Sequence, residues 1–154
     1  MIISNDAINI EIFNTPKLVD DYNEEIKSSI NEFVQAFKIT EVKLDISFCT
    51  KDEIKDLNKK FRNKEAPTNV LSFPDIAFQG IRKNCMGEII ISMDVIEEEV
   101  LDTSKREIDH LIHLLIHSML HLLGYKHDLE NDAILMERKE IEFLSKIGIQ
   151  NPYK

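Results

Sequence analysis

Every histidine of this 154-residue chain falls between positions 110 and 127, in the stretch HLIHLLIHSMLHLLGYKH: His110, His113, His117, His121 and His127. The residues between them are almost all Leu, Ile and Met, which suit a helix. On that helix His117 and His121 project from one face, one turn apart. Gly124 follows where a glycine can end a helix in the left-handed conformation. The chain can then turn back and bring His127 to the other two. Three converging imidazoles suit Zn²⁺, one ion per chain. Three protein ligands leave the fourth tetrahedral position open, as a catalytic site requires. The competing reading is a set of core histidines, but burying three imidazoles without partners is costly. His113 lies near the same stripe and reads either as a site-lining residue or as a packing residue. His110, early in the helix, reads as a surface residue.

The spacing matches the three histidines and the glycine of the metzincin pattern H-E-x-x-H-x-x-G-x-x-H. The glutamate of that pattern is a protease's general base, and here the position holds Ser118. The cage is therefore protease-like without the protease's base.

The length fits one domain, residues 1–154, able to bury about two-thirds of its unfolded surface. Met1 to Asn14 does not read as a signal peptide, and the apolar run around the histidines is too broken to span a membrane. Cys49 and Cys85 stand in no ligand spacing and read as free thiols of a cytoplasmic protein. The net charge of −9 argues against a generic nucleic-acid binder. The charge is uneven, however. Lys59, Lys60, Arg62 and Lys64 cluster, and Arg82 with Lys83 makes a second small group. Such a face either engages phosphates on an acidic body or is the solvated side of a helix.

Period and punctuation predict the elements. Ile8, Ile10 and Ile12 alternate with polar residues, as do Val42, Leu44, Ile46 and Phe48. Thr15 and Pro16 predict a helix start, followed by one apolar face from Leu18 to Phe37. Thr50 to Glu53 and Ser104 to Glu107 read as capping boxes, the second opening the histidine helix. Short strands are expected at Val70 to Phe73 and Glu88 to Ser92, with a loop over residues 75–84 and a helix from about Met93 to Leu101. Asp128 is placed to cap a last helix carrying Ile134, Ile141, Leu144 and Ile147. The expected fold is α/β: a small mixed four-stranded sheet packed by helices, with the histidine helix central and bearing a zincin-like metal cage. Two strands without a helix between them, near residues 70 and 90, predict one antiparallel neighbour.

Three stretches resemble one family. Leu57 to Pro74, LNKKFRNKEAPTNVLSFP, is similar to L-N-x-x-[FY]-R-x-K-[DE]-x-P-T-[DN]-V-L-S-F-P; Gly87 to Ser92 is similar to G-[DE]-I-x-I-S; and His117 to His127 resembles H-G-x-L-H-L-x-G-Y-D-H. These are marks of the YbeY-type endoribonucleases, bacterial rRNA maturation factors, and the resemblance runs along essentially the whole chain. It departs at Ser118, where the pattern has glycine, and at Lys126, where it has aspartate. Neither position is a ligand of the pattern. Ser118 would either crowd the helix or offer a hydrogen bond beside His117.

The resemblance implies a metal-dependent endoribonuclease acting on single-stranded RNA. It further implies a role in ribosomal RNA processing and in quality control of the small ribosomal subunit. The implied partners are that subunit and ribosome-assembly factors, with no DNA and no membrane. It also makes Arg62 the active-site arginine, whose planar fork suits a phosphate. If the RNA 2′-hydroxyl is the nucleophile, its proton has two candidate acceptors, the metal site and His113. Thr68, Asn69 and Ser72 read either as groove-lining donors or as a tight entry into a strand. Two other functions fit parts of the pattern. One is a zinc peptidase or amidohydrolase, opposed by the missing glutamate. The other is a non-catalytic assembly factor with a structural metal, opposed by three ligands where a closed site takes four.

Overall fold

The computed structural model describes residues 1–75 and 80–153. Eleven elements follow one another: β1 (Ile2–Ser4), β2 (Ile8–Phe13), α1 (Lys17–Asp21), α2 (Asn23–Ala36), β3 (Glu41–Cys49), α3 (Lys51–Arg62), β4 (Val70–Pro74), β5 (Asn84–Ser92), α4 (Met93–Val100), α5 (Glu107–Leu123) and α6 (Glu130–Lys146). The sheet has five strands in the order β1-β2-β3-β5-β4. The β2–β3 and β3–β5 pairs are parallel, and the outer pairs β1–β2 and β4–β5 are antiparallel. The mixed sheet and the antiparallel neighbour are as expected; the strand count is one higher.

The extra strand is β1. Three residues are too few to display alternation, so its signal is tertiary. Asn5 makes the turn that follows, its Oδ1 accepting from the amides of Ala7 and Ile8 at 3.0 and 2.9 Å. β5 begins at Asn84, earlier than alternation suggests, because β3 pairs with it from Glu41↔Asn84 onward. Within β5, Gly87 has φ 154°, and a Cβ there would run into the Phe73 carbonyl of β4. Close approach of neighbouring backbones requires glycine at this point. Of the expected loop over residues 75–84, residues 76–79 lie outside the described part of the chain.

Helix starts differ where no side chain caps them. Thr50 and Glu53 form the expected reciprocal box at the start of α3. Ser104 to Glu107 forms none: Arg106 is the N-cap of α5, without a side-chain bond. Leu129, not Asp128, precedes α6. The expected helix after Pro16 is broken at Tyr22 into α1 and α2, and Thr15 instead donates its hydroxyl to the Ile12 carbonyl.

β2 and β3 alternate buried and exposed residues, so one face of the sheet carries the core. α5 is buried almost all round, Ile108, Leu111, Ile112, Ile116, Met119, Leu120, Leu122 and Leu123 being at most 2% exposed. Each such side chain contributes about 1.5–3 kcal/mol by leaving water. That burial makes α5 the axle of the fold and fixes where its histidines stand. Phe33, Phe37 and Phe143 close the core between α2 and α6, with Phe33 stacked on Phe37 at 4.6 Å and edge-on to Phe143 at 5.4 Å.

Candidate metal centre and cleft

His117 and His121 leave α5 one turn apart. Gly124 caps the helix at φ 110°, and the Tyr125 amide donates back to the Leu120 carbonyl at 3.1 Å. This turn carries His127 round to the same point. Ring centroids lie 4.7 Å apart for His117–His121, 4.5 Å for His121–His127 and 5.6 Å for His117–His127. One nitrogen from each ring lies within 4.8 Å of the others.

The donor set fits a tetrahedral metal. Zn–N bonds of about 2.0–2.1 Å hold neighbouring ligand nitrogens about 3.3 Å apart. The Nε2 atoms of His117 and His121 are 3.2 Å apart. The opposite nitrogens are already engaged. His121 Nδ1 lies 3.1 Å from the Tyr125 carbonyl, and His117 Nδ1 lies 3.1 Å from Glu140 Oε1. Both partners accept, so both Nδ1 atoms carry the proton and both Nε2 lone pairs face the shared point. Burial, then the neighbouring His117 and His127 and, least, the Arg62 charge together push the His121 imidazole down to about 4, against the raising effect of the hydrogen bond to the Tyr125 carbonyl. His121 is thus neutral, as a metal ligand must be, through the physiological range. His127 is half exposed, 4.0 Å from Asp128, and is the least constrained of the three.

Glu140 organises the wall behind the cage. Its side chain is fully buried, 2.7 Å from His113 Nε2, and its Oε1 accepts from the Tyr153 hydroxyl at 2.8 Å. Burial alone would raise its pKa. Hydrogen bonds from His113 and His117, with their charges, outweigh burial and hold the carboxyl below the ordinary range. The sequence carried one signal for it. On α6 the buried residues are Met136, Glu140, Phe143 and Leu144, a carboxylate set within an apolar stripe. The expected apolar face is shifted accordingly, and Ile134 is exposed. No sequence pattern pointed to Tyr153, whose ring stands edge-on to His113 at 5.9 Å.

A cavity of about 250 Å³ opens over the three imidazoles. Arg62, Thr68, Asn69, Ser72, His113 and Tyr153 line it. Arg62 is the last residue of α3, exposed and without a carboxylate partner among the described residues. Asn63, in the left-handed conformation at φ 56°, turns the chain from there toward β4. Thr68 and Ser72 thus face the cleft. The Asn69 side-chain amide donates to Glu99 at 3.0 Å and its backbone carbonyl accepts from the Ser92 amide, so Asn69 also anchors the strand entry. Ser118 lines the cleft from inside the helix, fully buried, its Oγ without a hydrogen-bond partner among the described residues.

His113 reaches the cleft wall, but both its ring nitrogens are enclosed and Nε2 turns toward Glu140. His110 is not a surface residue. Only 11% of its side chain is exposed, with Nε2 3.1 Å from Glu99. α4 packs against that face of α5 and supplies the carboxylate that a sequence window cannot see. In the basic cluster, Lys59 pairs with Glu65 at 3.5 Å and Lys60 lies over the Phe61 ring. No described helix is long and apolar enough to cross a membrane.

Residues 9–148 match the family model described as Endoribonuclease YbeY. The chain is 41% identical over 135 residues to a protein named Endoribonuclease YbeY from Colwellia psychrerythraea, covering 88% of this chain and 82% of that one. It is 34% identical over 152 residues to a protein of the same name from Francisella tularensis subsp. novicida, covering 96% and 94%. A solution structure of a Thermotoga maritima protein superposes with a TM-score of 0.65 at 28% identity, covering 90% of this chain and 88% of that one.

Proposed function

Because this chain belongs to the YbeY endoribonuclease family, we propose that its cleft cleaves single-stranded RNA, with one Zn²⁺ per chain held by His117, His121 and His127. The reaction serves ribosomal RNA processing. The carrying observation is that three converging imidazoles, two of them held in one tautomer, and an unpaired guanidinium share one cavity of about 250 Å³, room for a phosphodiester. The bound ion supplies a Lewis acid at the phosphodiester.

Arg62 binds the scissile phosphate with its fork and stabilises the charge that grows in the transition state. Glu140 keeps the proton of His117 on Nδ1. His113 shares that carboxylate, so a proton handled at this wall moves between groups 2.7 Å apart. Thr68 and Ser72 offer hydroxyls along the entry. Ser118, where a zinc protease carries its base, has no acid–base capacity at neutral pH, which supports a nuclease over a peptidase. The partners in this reading are the small ribosomal subunit and its assembly factors, and the setting is the cytoplasm.

The test is purified protein on an unstructured labelled RNA and on casein, with and without chelator, alongside elemental analysis. RNA cleavage abolished by chelator and restored by Zn²⁺ is expected. Casein cleavage, or chelator-resistant RNA cleavage, would overturn the reading.

A further inference from the structure

A second cavity, of about 430 Å³, shares no lining residue with the first and reaches the Gly124–His127 turn at Tyr125. Its walls are aromatic: Phe37, just past α2, and Tyr125 meet edge to face at 6.4 Å, with Phe143 6.1 Å from Phe37. Four lysines surround it, Lys38, Lys83, Lys139 and Lys146, against one acid, Glu142. They come from three separate parts of the chain, so no single amphipathic helix explains them. Lys83 is committed, donating to the Phe37 carbonyl at 3.1 Å. Lys38, Lys139 and Lys146 have no carboxylate within ion-pair distance among the described residues. Three unpaired cations converging on one cavity are unexpected in a chain of net charge −9, where carboxylates outnumber cations.

Lysines around an aromatic floor are what an unpaired nucleotide requires, with cations for its phosphate and a ring for its base. Tyr125 belongs to both sites. Its ring lines this cavity, while its carbonyl orients His121. We propose that this cavity is an RNA exosite, holding a nucleotide of the same single strand whose scissile phosphate lies in the metal cleft. The strand crosses the Tyr125–His127 turn between them. The inference rests on the endoribonuclease reading for its choice of polyanion.

The test is fluorescence anisotropy with a short unstructured 2′-O-methyl RNA, which holds a strand without a free 2′-hydroxyl. The variant K38E/K139E/K146E is compared with wild type and with K17E/K27E/K43E, which carries the same charge change elsewhere. The exosite variant should bind at least tenfold more weakly. The slope of log affinity against log salt should flatten by about 2 units, at about 0.7 per lost phosphate contact for a single strand. The control should bind like wild type, and all three should melt cooperatively at similar temperature. Should K38E/K139E/K146E melt early, the milder K38Q/K139Q/K146Q replaces it. A 5-iodouridine version of the RNA should photocrosslink to Tyr125 or Phe37. Equal weakening by both triple variants, unchanged binding by the exosite variant, or no RNA binding by wild type would overturn the proposal. RNA that binds through these lysines but is never cleaved would refute the enzymatic reading and leave the exosite standing.

Discussion

Replacing Glu140 with Gln tests the proposed cage through a residue outside the three histidines assigned as ligands. The wild-type carboxylate accepts at once from His117, from Tyr153 at 2.8 Å, and faces His113 at 2.7 Å. The amide keeps the shape but has one accepting oxygen and one donating nitrogen. With the oxygen at the Oε1 position, Tyr153 and His117 keep an acceptor, but the NH₂ group meets His113 at 2.7 Å and His117 Nδ1 at 3.2 Å as a donor. With the amide reversed, the NH₂ group faces both Tyr153 and His117 Nδ1 and favours the proton on Nε2, where the ligand lone pair must be. Loss of such a supporting contact costs about 10–100-fold in metal affinity, or about 1.4–2.7 kcal/mol. Metal that binds only the folded state stabilises it by mass action, so the same energy leaves the zinc-loaded protein's stability. At about 2–4 °C per kcal/mol for a domain of this size, the melting temperature with zinc should fall by about 3–11 °C relative to wild type. Competition against a chromophoric chelator measures the affinity, and calorimetry with and without Zn²⁺ measures the shift. Wild-type zinc affinity in E140Q would refute the argument that Glu140 sets the His117 tautomer.

His121→Ala should lose most of the bound metal, since two imidazoles make a weak site; full occupancy by elemental analysis would remove His121 from the cage. Arg62→Lys should keep metal and fold while single-turnover cleavage of a short RNA falls by about 10²-fold, the usual cost of one misplaced oxyanion donor. An unchanged rate would take Arg62 out of the chemistry. Burial pushes the Cys85 thiol up to about 12, while burial with the charges of Glu53 and Asp94 pushes Cys49 up to about 11. Only the thiolate reacts, so at pH 8 iodoacetamide should modify neither at a useful rate in the folded protein; mass spectrometry showing rapid labelling of Cys85 without unfolding would contradict its burial.

The convergence of the three imidazoles was legible because it is local. His117, His121, Gly124 and His127 lie within one helix end and its turn, so spacing alone states their geometry. The Thr50–Glu53 box was legible for the same reason. What the sequence concealed is what tertiary contact supplies. Glu140 and Tyr153 reach the site from α6 and the segment after it, and Glu99 reaches His110 from α4. β1 is a strand only because β2 lies beside it. The Ser104–Glu107 pattern failed as a cap because α5 starts at Glu107 with Arg106 outside it, and Arg106 is held instead by Asp109 and Glu25.

The sheet ends at β4, and the same strand supplies Val70 and Ser72 to the cleft. A strand in that position meets two opposed demands. It must stay uncovered for a substrate to enter, yet an uncovered edge is a template on which another chain can add a strand and begin to aggregate. β4 is only five residues long and ends in Pro74, which has no amide hydrogen to offer a newcomer. The opposite edge, β1, is shorter still at three residues. The edge beside the cleft is therefore short and ends in a residue with no amide to offer, a poor template for a second copy of the sheet.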